Sequence, residues 1–178
     1  MQEFTLDWFE QVSHARYTRY LVGPLDDCNS LQIVTHYRVR KYENDTVEYI
    51  PTLNIQLKET TGWMEHDFIV DSSASISVAS RDLANRLGLK WENGIETVLK
   101  GVSNKTECEV LGRIHEVEVI IPKIRLMILL PICFAEGDAP LLLGREVFFD
   151  IFYVCFDKYN RRTCFKPTPN LEMLGISF

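Results

Sequence analysis

The chain has 178 residues, enough for one domain or one domain with an extension, with 46% hydrophobic residues, 25% charged residues and a formal net charge of -6. A core of useful size is available at this length. The acidic balance argues against nucleic acid as a partner, because phosphate binding needs clustered Lys and Arg. The most apolar stretch, residues 117–134, carries Glu118, Lys123, Arg125 and two prolines, which excludes it as a clean membrane span.

Residues 1 to about 30 show no sharp pattern. LDWFEQV reads as a short helix and LVGPLDDCNS as loop, and no basic region precedes an apolar one, so no signal peptide is read. From residue 31 a period of two sets in. In LQIVTHYRVRKY, Leu31, Ile33, Thr35, Tyr37 and Val39 alternate with polar residues, the pattern of a half-buried strand whose Arg38, Arg40 and Lys41 form a solvated face. ENDT, residues 43–46, is turn chemistry. VEYIPTLNIQLK places Val47, Tyr49, Leu53, Ile55 and Leu57 on one face, and WMEHDFIVD begins the next strand of an antiparallel meander.

One helix follows. Ser80 is its N-cap, Asp82 lies in the first turn where the helix dipole favours an acid, Leu83 and Leu87 share a face, and Gly88 stops it. After WENG, strands are expected over EVLG, RIHEVEVII and KIRLMILLP, with GDAP (137–140) as a turn. PLLLGREVFFD is an apolar strand that runs into a Gly, and IFYVCFD and RRTCFKP close the chain as two strands around DKYN. Many strands, one clear helix and no alternating βα pattern predict a mainly-β domain, closed or sandwich-like.

The chemistry-bearing residues are sparse. The cysteines, Cys28, Cys108, Cys133, Cys155 and Cys164, are odd in number and irregular in spacing, which fits reduced thiols in a cytoplasmic protein. His14, His36, His66 and His115 are scattered, so no metal site and no cofactor are expected. The serines lack a GxSxG elbow, and no Gly-rich phosphate loop occurs. Asp150 and Asp157 read as strand-end or turn carboxylates, and Trp8, Phe9, Trp63 and Trp91 as packing residues.

FIVDSSASISV, residues 68–78, stands apart. Phe68, Ile69 and Val70 lead directly into Asp71, and the smallest side chains, Ser72, Ser73, Ala74 and Ser75, follow. Alone, Asp71 could cap a structural turn. With the helix RDLANRLGL after it and LLLGREVFFDIFYVCFD near the C-terminus, the combination resembles the retropepsin-like aspartic proteases, single-domain relatives of pepsin, and among them the cellular, non-viral members. The resemblance covers roughly residues 50–167. It divides the chain into an N-terminal extension of unknown role, 1–45, and a protease domain, 46–178. It implies a closed β-barrel with one or two short helices, active as a two-fold homodimer.

In that family a strand delivers Asp-Thr/Ser-Gly-Ala to the active site, here matched by Asp71, Ser72, Ser73 and Ala74. The supporting element is matched by Leu142, Leu143 and Gly144, followed by Arg145. Peptide hydrolysis by carboxylates uses one as general base on a water and a protonated one toward the carbonyl oxygen. Two adjacent carboxylates cannot both ionise, so the pair shares one proton. This chain has one such motif, so the second Asp71 comes from a second copy, on a two-fold axis. The resemblance further implies that Ser72 braces the two loops and that a β-hairpin flap covers a peptide or protein substrate. By order along the chain the flap lies in 99–112, with Gly101, Val102, Ser103 and Asn104 near its tip.

Ser73 departs from the family, which has Gly at that position. Gly tolerates close approaches that a Cβ blocks. The expected activity is an aspartic endopeptidase. The alternative is a catalytically impaired dimer of the same fold that binds an extended peptide without cutting it. A third idea makes residues 1–45 a segment that occludes the cleft.

Overall fold

The computed structural model describes residues 33–100 and 109–169. Leu31, Trp8, Phe9 and the helix and loop read before residue 31 lie outside the described residues. Strands β1 (Ile33–His36) and β2 (Arg38–Lys41) part at Tyr37, and β3 (Val47–Ile50) and β4 (Thr52–Glu59) part at Pro51. Each of the two continuous strands expected here is therefore broken once. Pro51 has no N–H for a ladder, which makes it a natural break. Among the described residues β2 and β3 pair only with each other, and Arg38, Arg40 and Lys41 of β2 are exposed as expected. The single face expected for Val47, Tyr49, Leu53, Ile55 and Leu57 splits at the same break. Leu53, Ile55 and Leu57 are buried, whereas Val47 and Tyr49 are exposed on the separate hairpin.

β4 pairs antiparallel with β5 (Gly62–Val70) along its whole length. Trp63, read as a packing residue of the core or the extension, lies opposite Lys58 and is 37% exposed, so it is not part of the core. β6 (Ser77–Ser80) runs into α1 (Arg81–Arg86). Ser80 caps it by accepting the Leu83 N–H at 3.4 Å. Gly88 ends it with φ +71°, a conformation that costs glycine little. Leu83 is buried and Leu87 packs against the core. The Arg81 guanidinium lies 4.4 Å above the Trp91 ring and 2.8 Å from Glu136, which ties the helix start to its neighbours.

β7 (Ile95–Lys100), β8 (Glu109–Ile121) and β9 (Leu126–Ala135) form consecutive antiparallel neighbours. The apolar stretch 117–134 is thus two strands joined by a 3-10 turn at Pro122–Ile124. Its side chains alternate: Val117, Val119, Ile121, Leu126, Ile128 and Leu130 point inward, Met127 and Leu129 outward. From Ile132 to Ala135 every residue is buried, because β6 lies alongside in parallel.

The remaining elements are β10 (Leu142–Leu143), α2 (Phe148–Ile151), β11 (Phe152–Asp157) and β12 (Arg162–Pro167). Among the described residues seven strands form one sheet in the order β4-β5-β10-β6-β9-β8-β7, and β4 also meets β8 at Gln56–Ile120 and Leu57–Val119. A three-stranded sheet, β1-β12-β11, is antiparallel throughout. Phe148, Phe152 and Phe165 join it to the core, with ring centroids 5.1 to 6.4 Å apart and all three rings fully buried. The architecture is mainly β with a few short helices. No helix among the described residues is long and apolar enough to cross a membrane.

Phe165 lies at the centre of that junction. Phe165→Ala is expected to lower the unfolding free energy by about 3–5 kcal/mol, the usual cost of emptying a fully buried aromatic site. Urea denaturation measures it, and a loss below about 1 kcal/mol would show that this sheet does not pack as described.

Candidate active site

β5 carries its apolar residues to Val70, and Asp71 follows at the strand's end. β10 lies parallel beside it, with Leu142 opposite Ile69 and Leu143 opposite Val70. The Ile69 N–H donates to the Leu141 carbonyl at 2.8 Å and the Asp71 N–H to the Leu143 carbonyl at 3.0 Å. Between them the Val70 N–H donates to the Pro51 carbonyl at 2.9 Å. The backbone under Asp71 is therefore held from both sides.

The chain then turns back on the Asp71 side chain. The Ser73 backbone N–H donates to Asp71 Oδ1 at 2.8 Å, and the Ser73 hydroxyl donates to the same oxygen at 2.6 Å. Asp71 is half-buried, whereas Ser72, Ser73 and Ser75 are exposed. The small residues thus leave one side of a fixed carboxylate open to solvent.

The Leu142, Leu143 and Gly144 element packs beneath this loop. Leu142 also pairs with Val78 of β6, so β10 is inserted between the strands that enter and leave the loop. The Gly144 N–H donates to the buried Ser77 hydroxyl at 3.1 Å. A Cβ on Gly144 would collide with the Ile76 carbonyl and stand 2.8 Å from the Ser77 nitrogen. Gly is required there by backbone proximity. Two further bonds continue the contact: the Arg145 N–H to the Ala74 carbonyl and the Glu146 N–H to the Ser75 carbonyl, both at 2.9 Å. The Arg145 guanidinium reaches the Ser72 carbonyl at 3.4 Å.

Sequence reading missed Ser77, Glu146 and the structural role of Arg145. Ser77 had a signal, a lone hydroxyl between Ile76 and Val78. Burial raises the Glu146 carboxyl from its ordinary 4.5 to about 6, and the nearby Asp150 charge adds to the shift. Asp150 accepts the Val147 N–H at 3.2 Å at the start of α2, where Val147 adopts φ +63°. That conformation is costly for a β-branched residue and persists because both neighbours are bonded. Asp157 organises the turn between β11 and β12. Bonds from the Asn160 side chain and N–H and from Arg162 hold its carboxyl down at about 2.

Gly101, Val102, Ser103 and Asn104 of the expected flap lie outside the described residues. The hairpin's arms are described, and β7 and β8 pair up to Lys100 and Glu109. His66, His115 and Cys133 are engaged in other contacts. His66 Nε2 is 3.0 Å from Glu59, which also faces Arg86 at 3.5 Å, and burial lowers the His66 pKa. His115 packs edge-on against Phe134. Burial pushes the Cys133 thiol up to about 11, away from nucleophilic chemistry. Cys28 and Cys108 lie outside the described residues. Among the described residues no three His, Cys, Asp or Glu side chains converge as metal ligands.

No protein-family model and no curated protein matches the sequence. Among solved structures, the chain is similar to retropepsin-like aspartic proteases. One is a retropepsin-like aspartic protease from Rickettsia conorii, with 16% identity and a TM-score of 0.49 over 74% of this chain and 95% of that one. Another is the retroviral protease-like domain of Ddi1 from Leishmania major, with 20% identity and a TM-score of 0.45 over 66% of this chain and 94% of that one. A third is the EIAV protease complexed with the inhibitor HBY-793, with 19% identity and a TM-score of 0.41 over 62% of this chain and 93% of that one.

Gly144→Ala is expected to cost about 1–3 kcal/mol of stability, because the backbone must yield to the new Cβ. Amide chemical-shift changes should concentrate at residues 71–77, and changes spread evenly over the protein would contradict this contact. Glu146 gives a pH test. Its folded-state pKa is raised, so its ionisation opposes folding. The penalty is absent below about pH 4.5, grows as pH rises, and is complete above about 6. Glu146→Gln should therefore gain about 1 kcal/mol over the unsubstituted protein at pH 7, after allowance for solvent screening of a half-buried group, and nothing at pH 4. Denaturation at the two pH values checks it.

Proposed function

We propose that the chain is an aspartic endopeptidase, in which Asp71 and the Asp71 of a second copy hydrolyse peptide bonds. The observation that carries this reading is a half-exposed carboxylate at the end of β5, gripped through Oδ1 by Ser73 and through its backbone by Leu143. A carboxylate held this way acts as a base without first reorganising. In the pair, one ionised Asp71 takes a proton from water while the protonated partner donates to the peptide carbonyl oxygen. Both bonds from Ser73 fall on Oδ1, which leaves Oδ2 as the oxygen to meet that water.

The homodimer follows from one motif per chain. Among the described residues β11 is an edge strand of the three-stranded sheet, a place where a second chain adds readily. The β4–β8 pairing supports reading the larger sheet as a closed barrel. The catalytic domain is taken as 46–178, with Ile33–His36 of the extension paired to β12. Ser72 braces the paired loops, and the 99–112 hairpin covers an extended peptide held as an added strand. The reaction needs no cofactor, and the protein is placed in the cytoplasm on its cysteine pattern.

The test is cleavage of an unfolded protein between about pH 3.5 and 7, where a carboxylate pair operates. Asp71→Asn should lower the rate by about 10²-fold or more while circular dichroism and the dimer are unchanged. Undiminished cleavage in Asp71→Asn overturns the proposal. Activity seen only in Ser73→Gly assigns the natural chain to the second reading, a dimer that holds a peptide without cutting it. That second reading rests on the Ser73 hydroxyl, which donates to Asp71 Oδ1.

A further inference from the structure

We propose that Cys155 and Cys164 form a reversible disulfide within one chain when the protein meets a hydroperoxide, making the β11–β12 hairpin a site of covalent modification. The two residues are direct partners in the antiparallel register. Directly opposed residues project to one face, with Cα atoms about 4.5–5.5 Å apart. That lies inside the span of about 4.4–6.8 Å that a disulfide bridges. The Cβ atoms of such a pair must close by up to about an ångström to reach disulfide spacing. A bridge formed this way is strained, and strained bridges are readily reduced by thiols.

Exposure gives the pair a direction. Cys164 is fully buried, with Cys155 and Val34 packed against it, whereas Cys155 is half-buried. The hydroperoxide reaches Cys155 first. Its sulfur attacks the peroxide, an S–O bond forms, the O–O bond breaks, and an alcohol or water leaves. The Cys164 sulfur then attacks the Cys155 sulfenic acid, an S–S bond forms, the S–O bond breaks, and water departs with the thiol proton. Each disulfide consumes one hydroperoxide. Cys133 has no part in this, because it lies in β9 among Ile76, Val78 and Ile114.

The full chain is treated with hydrogen peroxide, alkylated under denaturing conditions and digested with trypsin. Trypsin cuts after Lys158, Arg161 and Arg162, which separates the two cysteines into different peptides. The expected result is two fewer alkylated cysteines and a cross-linked pair of peptides containing Cys155 and Cys164, both reversed by dithiothreitol. Cys133→Ser should leave this unchanged, and Cys155→Ser should abolish it. The peptide map of the unsubstituted protein decides the matter even if a variant at buried Cys164 fails to fold. A bridge to Cys28, Cys108 or Cys133, a bridge between chains, oxidation of Cys155 without a cross-link, or no change would each overturn the proposal.

Discussion

The insertion of β10 between β5 and β6 is the constraint on which the rest depends. Two residues, Leu142 and Leu143, pair in parallel with one strand and antiparallel with the other. The loop carrying Asp71 joins those same two strands, so the insertion closes its base. The contact is made by backbone, and it tolerates no Cβ at Gly144. Once it forms, the strand end, the loop carbonyls of Ala74 and Ser75, and the start of α2 are placed by hydrogen bonds rather than by flexible side chains. A side chain mounted on such a base has little conformational freedom left to lose.

The polar atoms around this base show how the frame accommodates burial. A buried hydroxyl or amide is costly unless bonded. Ser77 is fully buried, and its hydroxyl accepts the Gly144 N–H. Glu146 is the exception, since its carboxyl sits beside Asp150 in a partly dry environment. Val147 likewise keeps a positive φ of +63° between two bonded neighbours, with its N–H donating to Asp150. Strain and a disfavoured charge both lie in the short segment that follows Gly144, directly beneath the carboxylate loop.

The C-terminal hairpin links this region to the molecule's edge. Phe152 and Phe165 bring its inner face into the main core beside Phe148 of α2. Thr168 closes back on α2, its hydroxyl donating to the Asp150 carbonyl at 2.7 Å. The opposite face carries the thiol pair, and Asp157 with Asn160 and Arg162 fixes the turn. The hairpin is therefore in direct contact with α2, the helix that follows Glu146.

Local chemistry was legible in the sequence. Alternation located most strands, Ser80 and Gly88 bounded the helix, and apolar residues running into an Asp and small residues marked the loop at 71–75. Its partner element was legible too, because two leucines and a Gly form a compact signal. The single face drawn through Val47 and Leu53 failed, because periodicity carries no information about a strand passing from one sheet to another at Pro51. The pairing of Cys155 with Cys164, the Ser77–Gly144 bond and the double grip of Ser73 on Asp71 depend on residues far apart in the chain or on the path of a turn. By itself the sequence determined which residue types were available and the period of each strand, since these follow from local sterics and hydrophobicity. Only the tertiary structure decided which backbones meet, because register and insertion are set by contacts between distant segments.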